Sequence, residues 1–292
     1  MTELDPTAAR IFDRGYRRYD GERKGVSGAF FTLYLATLQR ILGLRRGAKA
    51  KILPVMSIAI AYLPTIVFIG IAALFKNKLN DGLPDYHEYY GTIIAAISLF
   101  VAFVAPEALC PDRRHRVLGI YLSSPLSRLS YVAAKLAAVF TVLCMVTIGP
   151  VLLLAVARTL LDAGPSLADL PVLLLRIVFT GAAIALFFSA ISLAISSFTD
   201  RKAFASAGFI LVTIVSQVVG AIVGSAAHAN GRLGVGALVS TSLSPGVFAE
   251  QVYGKATIAD FGLLPTVLVF GGVICACLAI LVIRFRRLEV TR

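Results

Sequence analysis

Long apolar runs alternate with short basic passages along this chain, and the alternation predicts its architecture. Six charge-free stretches stand near Ile52 to Phe75, Tyr89 to Pro106, Leu136 to Ala157, Ile177 to Thr199, Ala203 to Ala227 and Phe261 to Ile283. Each is close to the roughly 20 residues that a helix needs to cross about 30 Å of hydrocarbon. The pattern therefore predicts an all-α membrane protein with six transmembrane helices. Residues 52–292 form the six-helix domain, preceded by an N-terminal arm over residues 1–51. Within that arm Phe31, Tyr34, Leu35, Leu38 and Leu42 recur at helical spacing, with Thr32, Gln39, Arg40 and Arg46 elsewhere around the wheel. This predicts an interfacial amphipathic helix lying in the membrane plane, serving as an anchor or as a coupling element.

Composition supports this reading. The chain has 292 residues, 58% apolar and 15% charged, with a mean hydropathy of +0.84, well outside the range of soluble domains. A net charge of +12 would suggest nucleic acid in a soluble protein. Here the basic residues sit between apolar runs and at the ends, where topology determinants belong, so nucleic acid is not an expected partner. Six spans put both ends on one side of the membrane. That side carries 22 of the 28 Lys and Arg residues and the other carries 6. The excess places both termini in the cytoplasm of a multi-pass protein of the plasma or inner membrane.

The passage from Cys110 to Lys135 is basic and amphipathic, wedged between the second and third spans. It is too long for a simple turn and too apolar for a solvated linker. Its Asp112-Arg113-Arg114, then Leu118-Gly119-Ile120-Tyr121-Leu122, then Ser124-Pro125-Leu126-Ser127-Arg128, Tyr131 and Lys135 resemble the first cytoplasmic loop of ABC-2-type transporter permeases. The resemblance implies a coupling helix resting on a separate ATP-binding subunit, present in two copies. Asp112, Arg113, Arg114, Arg116, Leu118, Ile120, Tyr121 and Leu122 would form the contact. It also implies a second copy of the permease, or a related one, as partner beside the surrounding membrane lipid. The cargo would be amphipathic, drug-like, or a lipid or glycan, exported at the expense of ATP and Mg2+ held by the partner. A membrane scaffold or sensor without transport activity is the rival reading.

Other features point to packing or to motion. Glu107, at the end of the second span, is expected either to pair with a nearby cation or to transmit movement from the loop. Gly181, Ala185 and Ser189 in the fourth span, and Gly220 and Gly224 in the fifth, recur at helical spacing. Small residues let helix backbones approach closely in lipid, which suits packing within the chain or a dimer seam. The long segment between the fifth and sixth spans carries Leu243-Ser244-Pro245 and Phe248, similar to the re-entrant or extracellular helices of ABC-2 permeases. An enzyme is not expected. The single Gly-Lys pair, Gly254-Lys255, lacks the remainder of a phosphate-binding loop, so the chain is expected to bind no ATP itself. The three histidines and four cysteines show no metal-ligand spacing, and no metal is expected.

Overall fold

The computed structural model describes residues 25–44, 47–74, 84–123, 125–161, 164, 168–229, 234–255 and 262–287. The side chains of Leu118, Leu122, Ser123, His228 and Ala229 lie outside the described ones. The described residues are helical and form no strand. In chain order the helices are α1 (Gly25–Ile41), α2 (Ala48–Leu74), α3 (Tyr86–Phe103), α4 (Cys110–Arg114), α5 (Leu118–Ser123), α6 (Arg128–Thr147), α7 (Gly149–Leu160), α8 (Leu170–Ser196), α9 (Lys202–Ala229), α10 (Val235–Val239), α11 (Ser244–Tyr253) and α12 (Leu263–Arg287). Six segments are long and apolar enough to span a bilayer, the second running from the start of α3 to the end of α4 and the third being α6 and α7 taken end to end. The protein is a multi-pass helical membrane protein.

The third span breaks where the sequence pattern reads straight through. Pro150 has no N–H to give the helix ladder, and its ring crowds the carbonyl one turn back, so α6 ends and α7 begins at Gly149. Tyr62 of α2 closes over the break, its hydroxyl donating to the Met145 carbonyl at 3.0 Å. A Cβ at position 149 would press on the Tyr62 hydroxyl, so any larger residue there has to displace that side chain and its bond to Met145.

The core lies around α3, where Tyr89, Tyr90, Ile93, Ile97 and Phe100 are fully buried. Tyr89 donates to the Ala61 carbonyl at 2.7 Å and bonds Thr65, tying α2 to α3, while Tyr90 donates to the Ile177 carbonyl of α8 at 3.2 Å. Such bonds join helices in lipid, where no hydrophobic drive pulls them together. The α2, α9 and α12 spans lie at the periphery, and the outward apolar side chains of α9, from Ile210 to Ile222, suit a hydrocarbon surround.

The small-residue stripes serve packing inside the chain. Gly181 sits against Ile148 at the α6–α7 break, and Thr147 donates to its carbonyl at 2.9 Å. Ala185 and Ser189 are fully buried. Gly220 and Gly224 of α9 receive the backbone of Gly236 in α10. Below that contact the Ser216 hydroxyl accepts from Thr241 N–H at 3.1 Å, and Gln217 donates to the Ser242 hydroxyl at 2.9 Å. Ser216 lies midway along the 28-residue α9, so the chain between α10 and α11 descends to about half the depth of that span. An irregular backbone is tolerable there because protein covers it and supplies its hydrogen bonds.

Helix α1 packs against α6 at two points. Arg40 reaches Asp112 beside Lys135, and the Tyr34 hydroxyl bonds the Thr141 hydroxyl at 3.0 Å, one and a half turns away on both helices. Held at two levels, α1 runs antiparallel alongside α6 rather than crossing it at one. Residues 25–39 contain no charge, so nothing in them demands contact with headgroups. Its packed stripe is Leu33, Thr37 and Ile41, flanked by half-buried Tyr34, Leu38 and Leu42, while Phe31 and Leu35 face outward.

Candidate functional site

Two polar clusters stand at opposite ends of the bundle. The larger occupies the basic end, where α4, α5, the turn between α8 and α9 and the end of α12 come together. After α3, a short 3-10 turn at Ala105–Ala108 carries Pro106 and Glu107. Glu107 is buried and pairs with Lys202 at the start of α9, so the second and fifth spans are pinned together by charge.

One turn later Asp112 has its side chain 1% exposed and lies at the centre of a closed ion network. It pairs with Arg40 from α1 and with Lys135 of α6, whose Nζ is 2.6 Å away, and it accepts a hydrogen bond from the Tyr131 hydroxyl at 2.9 Å. Burial alone would disfavour the charged Arg40, but the hydrogen bond and charge of Asp112 outweigh it and raise its pKa. Tyr121 of α5 lies over this cluster, its ring centroid 5.7 Å from that of Tyr131 and 5.9 Å from Lys135 Nζ. Phe285 of α12 closes the stack, 5.9 Å from Tyr131. One buried carboxylate thus joins α1, α4 and α6, and through rings α5 and α12.

The eight residues expected to form one contact surface separate into two groups. Asp112 and Tyr121 turn inward to the network. Arg114, Arg116 and Ile120 face outward, with Ile120 70% exposed, and Arg113 is mostly buried against Asp200 at 2.9 Å. Tyr121 and Ile120 are adjacent, so the helical turn of about 100° sends one in and the other out. The side chains of Leu118 and Leu122 lie outside the described residues. Arg116 adopts a φ of 52°, the left-handed region that favours glycine, and this sharp reversal sets α5 at an angle to α4. Around the reversal Arg113, Arg114, Arg116 and Arg201 surround the single carboxylate Asp200, lining a basic recess of about 510 Å³.

The second cluster lies at the other end. Asp85, just before α3, pairs with Lys255 after α11 and with Arg158 of α7 at 3.5 Å, while His87 lies 4.0 Å away. The hydrogen bond from Lys255 holds the Asp85 carboxyl below the usual carboxylate range, against a smaller opposing effect of burial. Tyr86 stacks on Tyr253 at 6.4 Å with Arg158 over the Tyr86 ring. None of these side chains stands out in the sequence, because Asp85, Arg158 and Lys255 come from three distant parts of the chain. Among the described residues no group of three metal-ligating side chains converges.

Comparison with protein-family models and with curated proteins finds no match for this chain.

Proposed function

We propose that the chain is the membrane-spanning permease subunit of an ATP-driven exporter of the ABC-2 type, working with two copies of a separate ATP-binding subunit and a second permease. The observation that carries this reading is the attachment of α5. Ile120 stands outward on α5, flanked by the exposed Arg114 at the end of α4 and Arg116 in the turn between the two helices, while the inner side of α5, through Tyr121, rests on the buried Asp112 network. A push on that patch is delivered to α1, α6 and α12 together. Charged side chains around it suit orientation of a partner, and the exposed aliphatic suits the anchoring contact. In this reading ATP-driven closure of the partner subunits shifts the bundle between inward- and outward-facing states, which requires the partner to bind the two states with different affinity. The 22 to 6 distribution of basic residues supports a cytoplasmic position for this end and for both termini. Glu107, paired with Lys202 beside the loop, is the element that passes motion to α9. The cargo class is amphipathic, drug-like, or a lipid or glycan.

The test is co-expression with a P-loop ATPase encoded beside this chain. The expected result is a stable complex with vanadate-sensitive ATPase activity that cargo stimulates, and no activity from the permease alone. A permease that turns over ATP by itself, or forms no complex with the neighbouring ATPase, overturns the reading in favour of a scaffold or sensor. In intact cells a cysteine at the exposed Ser127 should be shielded from an impermeant thiol reagent.

A further inference from the structure

We infer that the basic end carries a binding groove for an anionic glycerophospholipid, formed where the end of α8 meets the end of α12. A groove of about 360 Å³ is lined there by Phe198, Ile280, Ile283, Arg284 and Arg287. The four α12 residues fall at i, i+3, i+4 and i+7 and so share one helix face. Along roughly 10 Å of axis that face changes from apolar to basic towards the helix end. Ile280, Ile283 and Phe198 are 42%, 50% and 58% exposed, and no carboxylate lines the groove among the described residues. A phospholipid has the complementary order, with acyl chains towards the bilayer centre and a phosphate at its edge.

Arg284 is built into this position. Its Nε donates to the Ser197 carbonyl at 2.6 Å, and its guanidinium lies 4.4 Å from the centroid of the Phe198 ring. Those contacts fix a planar fork that still has donors for phosphate oxygens, the geometry in which arginine binds such groups well. The arrangement is echoed one turn further on, where Arg201 lies over the outward ring of Phe204 at 5.9 Å. Guanidinium groups held on outward-facing aromatic rings at the end of apolar spans belong at the headgroup layer. An inorganic anion would meet the two arginines but leave the Ile280 and Ile283 floor uncovered, so the occupant is a lipid. The inference does not depend on a transport function.

The experiment is native mass spectrometry of the purified full-length protein in detergent, titrated with phosphatidylglycerol or with phosphatidylcholine of the same chain length. The first phosphatidylglycerol is expected to bind about thirtyfold more tightly than phosphatidylcholine, the attraction of two arginines for one added negative charge. Arg287→Gln should remove much of that preference. Ile283→Trp, which fills the apolar floor, should weaken binding of both lipids. Arg176→Gln, at the opposite end of the bundle, should leave the preference unchanged, and all three variants should elute like the unmodified protein. Equal binding of the two lipids, an unchanged preference in Arg287→Gln, or displacement of bound phosphatidylglycerol by millimolar inorganic phosphate would each overturn the inference. Because the readout is lipid stoichiometry, its failure leaves the permease reading standing, and a permease that fails to couple leaves the groove standing.

Discussion

The Asp112 carboxylate and the Lys135 ammonium stand 2.6 Å apart with both side chains 1% exposed, and Arg40 contributes a second cation to the same carboxylate. Two cations therefore share one anion, and the consequences of removing each are unequal. Asp112→Asn leaves the buried Lys135 and the partly buried Arg40 without an anion and is expected to cost about 3–5 kcal/mol. Lys135→Met leaves a one-to-one pair between Asp112 and Arg40 and should cost distinctly less. Thermal unfolding in detergent, followed by intrinsic tyrosine fluorescence or aggregation, gives the order. Equal losses would mean that Arg40 does not compensate Asp112.

The contact between α9 and α10 gives a second prediction. A Cβ at Gly220 would approach Ser240 Cβ to 3.2 Å and press on the Gly236 carbonyl. Gly220→Val is expected to force the two helices apart, at a cost of about 1–3 kcal/mol. Gln217→Leu removes only the bond to Ser242 and should cost about 0.6 kcal/mol, the mean for such bonds in lipid. Limited proteolysis after Lys255, compared across the two variants, should show faster cleavage for Gly220→Val. Equal cleavage would place the anchoring of α10 elsewhere.

Much of the fold was legible in the sequence because crossing a bilayer imposes length and apolarity on every span. All six predicted stretches overlap observed helices, though several ends differ markedly: the third span begins at Arg128 rather than Leu136, and the fourth at Leu170 rather than Ile177. What escaped the pattern depended on partners far along the chain. Pro150 lies within a charge-free run, and the Tyr62 that closes over the resulting break comes from another span. In α1, helical spacing groups Phe31 and Leu35 with Tyr34 and Leu38, yet Leu33, Thr37 and Ile41 are the buried stripe. Lipid-facing and core-facing apolar residues look alike when the solvent is itself apolar. Asp112 is expected from the sequence to face a partner, because nothing local reveals that Arg40, Tyr131 and Lys135 meet it in the interior. Glu107, the small-residue stripes and the basic passage were legible as candidates, whereas the Asp85 cluster was not.

The Asp85 cluster predicts an acid-sensitive contribution to stability. Lys255 lowers the folded-state pKa of Asp85, so the pair contributes fully above the unfolded carboxylate value of about 3.9. That contribution is lost as pH falls through the folded value. Asp85→Asn should therefore unfold at a lower temperature than the unmodified protein at pH 7, and the two curves should converge under acid. The effect should be modest, since the pair is largely solvated and screened by salt. A gap that persists undiminished at the lowest pH would show that the carboxylate charge is not what matters.

The last prediction separates the two sides of α5, and it is the one most exposed to failure. Ile120 faces out and Tyr121 faces the buried network, so contact with a partner and transmission of force should be separable by mutation. Ile120→Asp places a charge where an apolar anchor would be buried in a complex. A well-buried anchor contributes on the order of 2 kcal/mol or more, so affinity for the ATP-binding subunit should fall at least about thirtyfold with the permease itself unchanged in stability. Tyr121→Ala removes the ring between α5 and Tyr131. It should leave assembly close to normal, while cargo no longer stimulates ATP hydrolysis, because α5 is loosened from α6 and α12. Tyr121→Phe keeps the ring stack and gives up only the hydroxyl's interaction with Arg40, so it should retain most of the coupling. Arg114→Ala should act mainly on the association rate, with the difference shrinking as salt rises. If Ile120→Asp assembles normally and Tyr121→Ala transports at the normal rate, the passage is a lipid-facing connector, and the proposed permease role loses its main support.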